Sequence, residues 1–173
     1  MPPLPAAPLK RRFAALLYEG LLAAAVTAVL CLPAGIASLL LNPVSILLSQ
    51  IAVSLILLGG WWFYFKLNWL KQGQTLPMRT WRIGLTDPEG RRPHLSRLRL
   101  RFIWVCVFII FIPLLAYAAL HRLGLPPRTT FIAAILWWIL PWGFAYLNTE
   151  RQFLYDFLAG TRLVDLRDNK TNN

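Results

Sequence analysis

One ionisable side chain stands inside the longest apolar stretch of the sequence. Residues 13–41 contain a single charged residue, Glu19. A charge at the centre of a membrane span costs about 2.5–3.5 kcal/mol on insertion scales, so such a group needs a partner, a water-filled cavity or a proton. Arg12 lies two helical turns earlier, about 10.5 Å along a helix axis. Glu19 is therefore the first candidate for binding an ion or a proton.

A second carboxyl group, Asp156, follows the last apolar block and would lie at the membrane surface. We expect Arg12, Glu19 and Asp156 to form a charged cluster that opens toward the cytoplasm. Burial favours the neutral form of a carboxyl group, whereas a nearby arginine favours the charged form. Such a poised group suits proton-coupled transport or exchange of a small cation or solute. The alternative is a non-transporting scaffold or interaction protein, in which the same charges only fix helix register.

The other reactive side chains indicate no further chemistry. Of the two histidines, His94 lies in a basic loop and His121 in a short polar connection. The two cysteines, Cys31 and Cys106, fall inside apolar blocks, where they suggest small packing residues rather than a disulfide or a zinc site. Because no nucleophile motif, metal-ligand pair or phosphate-binding glycine loop is found, we expect no enzymatic activity, metal or cofactor.

The apolar residues are gathered into four blocks that must position these groups. The sequence is 57% hydrophobic and 14% charged, against about 45–50% and about 25% in a soluble domain. The blocks predict transmembrane helices at about 13–33, 44–65, 102–120 and 131–147, since a bilayer core needs about 17–25 apolar helical residues. Pro33 and Gly35 predict a kink or an early end in the first span. Barrel strands would alternate in polarity, so the fold class is an all-α membrane protein, a bundle of four helices.

The basic residues predict how the chain is oriented. Sixteen of the 18 Lys and Arg residues lie in the N-terminal tail, the 66–101 loop and the C-terminal tail, and two lie in the remaining connections. Since an excess of Lys and Arg marks the cytoplasmic side, both termini and the loop are expected there. The same pattern favours contact with anionic lipid over nucleic-acid binding. The arginines expected to contact such lipid are Arg79, Arg82, Arg91, Arg92, Arg97, Arg99 and Arg101.

The segments outside the spans carry their own patterns. Residues 1–9 are expected to be a disordered leader, rich in Pro and Ala. Within the structured 66–101 loop, alternation at 80–86 and the following Asp-Pro-Glu-Gly predict a strand and a turn, and Ser96 is expected to cap the next helix. In the 148–173 tail, Asn148 or Thr149 would cap a short interfacial helix that Gly160 ends. The extended segment 161–166 could then pair with 80–86.

Three stretches, taken in order, resemble the RDD family of bacterial membrane proteins: RRFAALLYEG at 11–20, GQTLPMRTWRI at 73–83 and RQFLYDFLAGTRLV at 151–164. The resemblance covers most of the chain. It implies that Arg12 is the family arginine and Asp156 the last aspartate, while Glu19 stands where the first aspartate is usual. Pro77, in place of a glycine, and Tyr155, in place of a common histidine, also depart from the pattern.

The resemblance also carries expectations about location and activity. It implies a multi-pass protein of the bacterial inner membrane, and sodium/proton exchange has been attributed to some members of the family. Most secondary transporters are built from repeated halves, and four helices without an internal repeat form a thin bundle. If the protein transports, we therefore expect a homo-oligomer. As for any membrane protein, we also expect membrane lipids as partners.

Overall fold

The computed structural model describes residues 4–167 and is 72% helical. Four helical runs are long and apolar enough to cross a membrane: Leu9–Leu41, Ile46–Thr80, Leu95–Arg122 and Pro127–Leu147. In each of the first three, only 6% of the most apolar 18-residue window is buried. Because an apolar helix surface needs an apolar surrounding, these exposed faces suit lipid contact. The predicted fold class, an all-α membrane protein with four such helices, is confirmed.

The chain divides into two compact units, Lys10–Arg82 and the combination of Met1–Leu9 with Ile83–Asn173. The first unit is mainly a helical hairpin of α1, Leu9–Leu41, and α2, Ile46–Gln72. The two helices pack closely where Gly60 faces Leu30, because a Cβ at Gly60 would overlap that leucine side chain. Nearby, the Trp61 indole Nε1–H donates to Thr27 Oγ1 at 2.9 Å. A short helix, α3 at Leu76–Thr80, follows the hairpin.

Helix α1 does not end at Pro33, which lies inside it. The predicted early end of the first span is therefore wrong. Proline lacks the N–H that would bond to the carbonyl four residues earlier. Ending the helix there would leave several more backbone groups to be satisfied, and hydrocarbon offers them no partners. Continuing the helix through residue 41 is thus the less costly arrangement.

The second unit contains the other two membrane-length runs. The third run joins α4, Leu95–Cys106, a π-helical turn, Val107–Phe111, and α5, Ile112–Arg122. The fourth joins α6, Pro127–Leu136, to α7, Ile139–Leu147, through a break at residues 137–138. Helix α4 begins at Leu95 with His94 as its N-cap, so the prediction of Ser96 as the cap is wrong.

A proline explains each irregularity in these two runs. Pro113 has no N–H to donate to the carbonyl of Ile109, four residues earlier, and the π-helical turn lies at this point. Pro141 likewise cannot bond to the Trp137 carbonyl, which instead accepts from Leu140 N–H at 3.2 Å. The Trp138 indole Nε1–H donates to Ile109 O at 3.1 Å. The break at residues 137–138 therefore supplies a hydrogen-bond donor for the carbonyl to which Pro113 cannot donate.

We expect Trp138→Phe to lower the stability of the protein by about 1 kcal/mol, because it leaves the Ile109 carbonyl without this donor in an apolar setting. Thermal unfolding in detergent measures the change. Trp137→Phe is the matched control, since Trp137 is the neighbouring indole and is 45% exposed. In a Pro113→Ala background, residue 113 can donate to Ile109 itself, so Trp138→Phe should cost less. Equal losses at positions 137 and 138 would contradict the expectation.

A two-stranded antiparallel sheet forms in the same unit. Strand β1, Ile83–Thr86, pairs with β2, Arg162–Asp165, with Ile83 opposite Asp165. The predicted pairing of the loop with the tail is confirmed. The predicted turn after β1 is present as well, since Gly90 N–H donates to Asp87 O at 3.0 Å.

The N-terminal segment is ordered from residue 4, which corrects the prediction of a disordered leader at 1–9. Ala6 forms a β-bridge with Val164, and Ala7 N–H donates to Leu163 O at 3.0 Å. Ala7 is 3% exposed. Composition misled the prediction because the open edge of β2 supplies the backbone partners that a Pro- and Ala-rich segment lacks alone. The part of the leader at residues 1–3 and the tail after residue 167 lie outside the described residues.

The tail contains a short helix, α8, at Leu154–Ala159. Gly160 ends it with φ 62°, the left-handed conformation that favours glycine, as predicted. The predicted caps Asn148 and Thr149 are wrong, because the N-cap is Phe153. Asn148 instead accepts from Glu150 N–H within a separate turn. Phe157 is 53% exposed, which leaves an apolar face for the predicted interfacial position.

Candidate functional site

Glu19 is held by a threonine hydroxyl from the far end of the first unit. Its Oε2 accepts a hydrogen bond of 2.5 Å from Thr75 Oγ1. Thr75 is completely buried, at 0% exposure, and Glu19 is half-buried. The sequence predicted that a carboxyl group inside an apolar span needs a partner, and the structure identifies one. Sequence reasoning missed Thr75, although it lies in the quoted 73–83 stretch and precedes Pro77, a position typical of a helix N-cap.

The chain brings Thr75 to this position by a sharp break after α2. Gly73 ends α2 with φ 64° and donates its N–H to Trp69 O. This left-handed conformation favours glycine because it has no Cβ. Thr75 is then the N-cap of α3, and its Oγ1 accepts from Met78 N–H at 3.5 Å. One hydroxyl therefore donates to Glu19 and accepts from the backbone of α3.

The first turns of α1 carry two arginines before Glu19. Arg12 is buried, at 2% exposure. Its neighbour Arg11 donates from Nη1 to Trp81 O at 2.9 Å. Tyr64 lies on the neighbouring helix α2. The first unit thus contains a buried arginine, a membrane carboxyl group and a phenol on two neighbouring helices.

Asp156 lies in the second unit, and its described counter-charge there is Arg101. Arg101 Nε is 3.0 Å from Asp156 Oδ1, and the two side chains are only 6% and 1% exposed. Thr161 Oγ1 donates to the same carboxylate oxygen at 3.3 Å. The guanidinium of Arg101 also lies 5.9 Å from the centre of the Tyr155 ring, within the distance of a cation–π contact. Helix α4 is therefore fixed to α8 by a buried charge pair.

Arg101 corrects one prediction, since a buried guanidinium paired with Asp156 does not face lipid. A signal for this was present in the sequence. Arg97 and Arg101 are four residues apart and share one face of α4, and Arg97 Nη1 donates to Gly160 O at 3.1 Å. Both arginines thus meet the α8 segment. The interpretation of all loop arginines as one lipid-facing set overlooked this spacing.

The joint cluster of Arg12, Glu19 and Asp156 stays a prediction, because Asp156 belongs to the other unit. What the structure adds is a separate local partner for each carboxyl group. Glu19 has the neutral donor Thr75, whereas Asp156 has the permanent charge of Arg101. A threonine hydroxyl can bond to a carboxyl group in either protonation state, whereas an arginine favours the charged form of its partner. Of these two pairs, Glu19 and Thr75 suit proton binding better.

The remaining arginines of the predicted lipid-contact set are at the surface or partly exposed. Five are exposed: Arg79, Arg82, Arg91, Arg92 and Arg99. Arg97 is half-buried and lies 3.7 Å from Glu89 Oε2. Their contact with anionic lipid stays a prediction.

Asp87 anchors the turn in this loop. Burial by itself raises the pKa of Asp87, but a hydrogen bond from Arg91 N–H, one with the Glu89 side chain and the charges of Arg91 and Arg97 hold it below its usual value. The carboxylate is therefore stabilised in its charged form. Within residues 4–167, no group of three His, Cys, Asp or Glu is placed to hold a metal ion.

Four membrane-length apolar helices define an all-α membrane protein. The family model of the RDD family matches residues 6–160. The chain belongs to the RDD family, as its sequence resemblance implied. None of the curated proteins and none of the solved structures compared with the chain gives a significant match.

Proposed function

We propose that this protein is a multi-pass transporter of the bacterial inner membrane that couples proton movement to exchange of a small cation or solute at Glu19. The observation that carries the proposal is the hydrogen bond between Glu19 and the fully buried Thr75. An ionisable group in a membrane span is costly unless it has a function or a partner. Here one partner is a hydroxyl, which can bond to the carboxyl group in either protonation state.

The chemistry of a hydroxyl supports reversible proton binding. A threonine hydroxyl has one donor and two acceptor positions. It can donate to an ionised carboxylate and can accept from a protonated carboxyl group, so it has a role in both states. Arg12 is buried two helical turns earlier on the same helix, and its positive charge would favour the ionised form and oppose the effect of burial.

The proposed orientation follows from the charges of the sequence. We place both termini and the 66–101 loop in the cytoplasm, where the exposed arginines would meet anionic lipid at about 1 kcal/mol per residue. We also propose a homo-oligomer as the transporting form, with no nucleic-acid partner and no enzymatic activity. Reporter fusions at Arg91 and after Asn173 test the orientation, since both should report the same side.

We expect Glu19→Gln to abolish proton-driven cation flux in proteoliposomes, because an amide cannot take up a proton at this site. Glu19→Asp should retain part of the flux, since it keeps the ionisable group with one methylene less. Glu89→Gln is the control, because Glu89 is a half-exposed loop carboxylate. Flux that is unchanged in Glu19→Gln would overturn the proposal.

A second candidate function rests on the buried pair of Arg101 and Asp156. A pair of this kind can hold two helices in register without taking part in chemistry. The protein would then be a membrane scaffold whose cytoplasmic loop and tail bind another protein. Absence of flux under any ion gradient, together with a lower thermal stability of Glu19→Gln, would favour this function.

A further inference from the structure

The segment from Thr75 to Trp81 is tied to helix α1 at both of its ends. At one end Thr75 donates to Glu19, and at the other the Trp81 carbonyl accepts from Arg11. Between them lies α3, whose first turn is capped by the same Thr75 hydroxyl. The arginine end keeps its charge under all ordinary conditions. Glu19 can change its charge, so of these two hydrogen bonds only the one between Thr75 and Glu19 can respond to a proton.

We propose that Thr75 is a positioning residue that couples the ionisation of Glu19 to the stability of α3. When Glu19 is ionised, its oxygens only accept, so the Thr75 hydroxyl must donate to it and its lone pairs face Met78 N–H. Hydrogen bonds to an ionised group are about twice as strong as neutral ones. Protonation of Glu19 weakens this bond and removes its fixed direction, and the cap of α3 loosens.

The consequence is a route from a carboxyl group in the membrane to the cytoplasmic loop. Helix α3 carries Arg79, which is exposed and donates to Gln72 Oε1 at 2.8 Å, and β1 follows it in the chain. Other charged or titratable groups of this unit include Arg12, buried two helical turns before Glu19 on α1, and Tyr64 on α2. The inference deepens the proposed function and rests on it, in that Glu19 is the group that changes charge.

Hydrogen–deuterium exchange on the full-length protein in lipid nanodiscs tests the coupling. The amides of residues 78–81 should exchange about tenfold faster in Thr75→Val, which loses the hydroxyl, and in Glu19→Gln, which loses the charge. The double variant should exchange no faster than Thr75→Val alone, because both changes act on the same hydrogen bond. Thr75→Ser keeps the hydroxyl and should restore the slow exchange of the wild type.

Thr80→Val is the matched control, since Thr80 is an exposed threonine of the same helix that bonds only locally, to Leu76 O. It should leave exchange at residues 78 and 79 unchanged. Additive effects in the double variant, or equal exchange in Thr75→Ser and Thr75→Val, would overturn the coupling. If Thr75→Val does not fold, Glu19→Gln and Thr75→Ser still decide the question, because the first must accelerate exchange and the second must not.

The exchange measurement also separates the coupling from the proposed function. Loss of the proposed function alone would appear as no ion flux while Glu19→Gln still loosens α3. Loss of the coupling alone would appear as Glu19-dependent flux with α3 unaffected by Glu19→Gln. The two ideas therefore fail on different readouts.

Discussion

Replacing Asp156 by Asn should lower the free energy of unfolding by about 3–5 kcal/mol, because one charge of a buried pair is removed while the other remains. The two side chains are 1% and 6% exposed and their charged atoms are 3.0 Å apart. Asn keeps the size of the aspartate, so the loss reports charge rather than volume. Thermal and denaturant unfolding in detergent measure the change, with every variant compared in the same detergent.

Two comparisons make this prediction specific. The Arg91 side chain is 74% exposed and pairs with Glu89 at 3.5 Å and with Asp87 at 3.4 Å, whose side chains are 50% and 9% exposed. Because this guanidinium stays in solvent, Arg91→Gln should cost at most about 1 kcal/mol. The double variant Arg101→Met with Asp156→Leu removes both buried charges and should recover most of the stability lost in Asp156→Asn. Equal losses in the buried and exposed cases would contradict the role assigned to the pair.

The same double variant separates a structural role of Asp156 from a transport role. If the pair only fixes α4 against α8, an uncharged pair that restores stability should also restore flux. If flux is lost although stability returns, Asp156 takes part in transport, as the cluster with Arg12 and Glu19 predicts. The measurement therefore tests the sequence-based hypothesis directly.

Replacing Phe153 by Ala should cost about 3–5 kcal/mol, the range for a fully buried aromatic side chain. Phe153 is 1% exposed, is the N-cap residue of α8, and lies with its ring centre 5.6 Å from that of Tyr155. Because Tyr155 and Asp156 begin the helix that carries the charge pair, loss of the ring should also disturb that pair. Unfolding in detergent is again the measurement.

Phe157→Ala is the matched control for this change, since it alters the same residue type in the same helix. Phe157 is 53% exposed, and its ring lies 5.4 Å from that of Phe144. Loss of the Phe157 ring should lower the free energy of unfolding much less than loss of the Phe153 ring. It should weaken lipid association if α8 lies at the membrane interface. A cost at position 157 as large as that at 153 would show that exposure is the wrong guide to the packing of α8.

Local patterns were sufficient to predict several parts of this protein. The four apolar blocks predict helices because a helix satisfies its backbone hydrogen bonds within one segment, whatever its neighbours are. Gly160 ends α8 for the local reason that only glycine adopts the left-handed conformation at little cost. The alternation at 80–86 predicts β1, and the matching extended segment at 161–166 predicts its partner β2.

Partners from distant parts of the chain were decided by the tertiary structure. Arg101 belongs to a basic run that suggests lipid, yet packing of α4 against α8 buries it beside Asp156. Thr75 resembles an ordinary helix cap until the break at Gly73 brings its hydroxyl to Glu19, 56 residues away in sequence. Ala6 lies in a segment of disordered composition, but the edge of β2 orders it.

The sequence by itself thus determined the membrane class and the helices, since each depends on hydrophobicity and spacing within one segment. The family followed from the resemblance of three stretches along the chain. The tertiary structure alone decided which partner each buried polar group has. The physical reason is that hydrogen bonds and ion pairs depend on distances of about 3 Å, and no local pattern encodes such a distance between segments far apart in the chain.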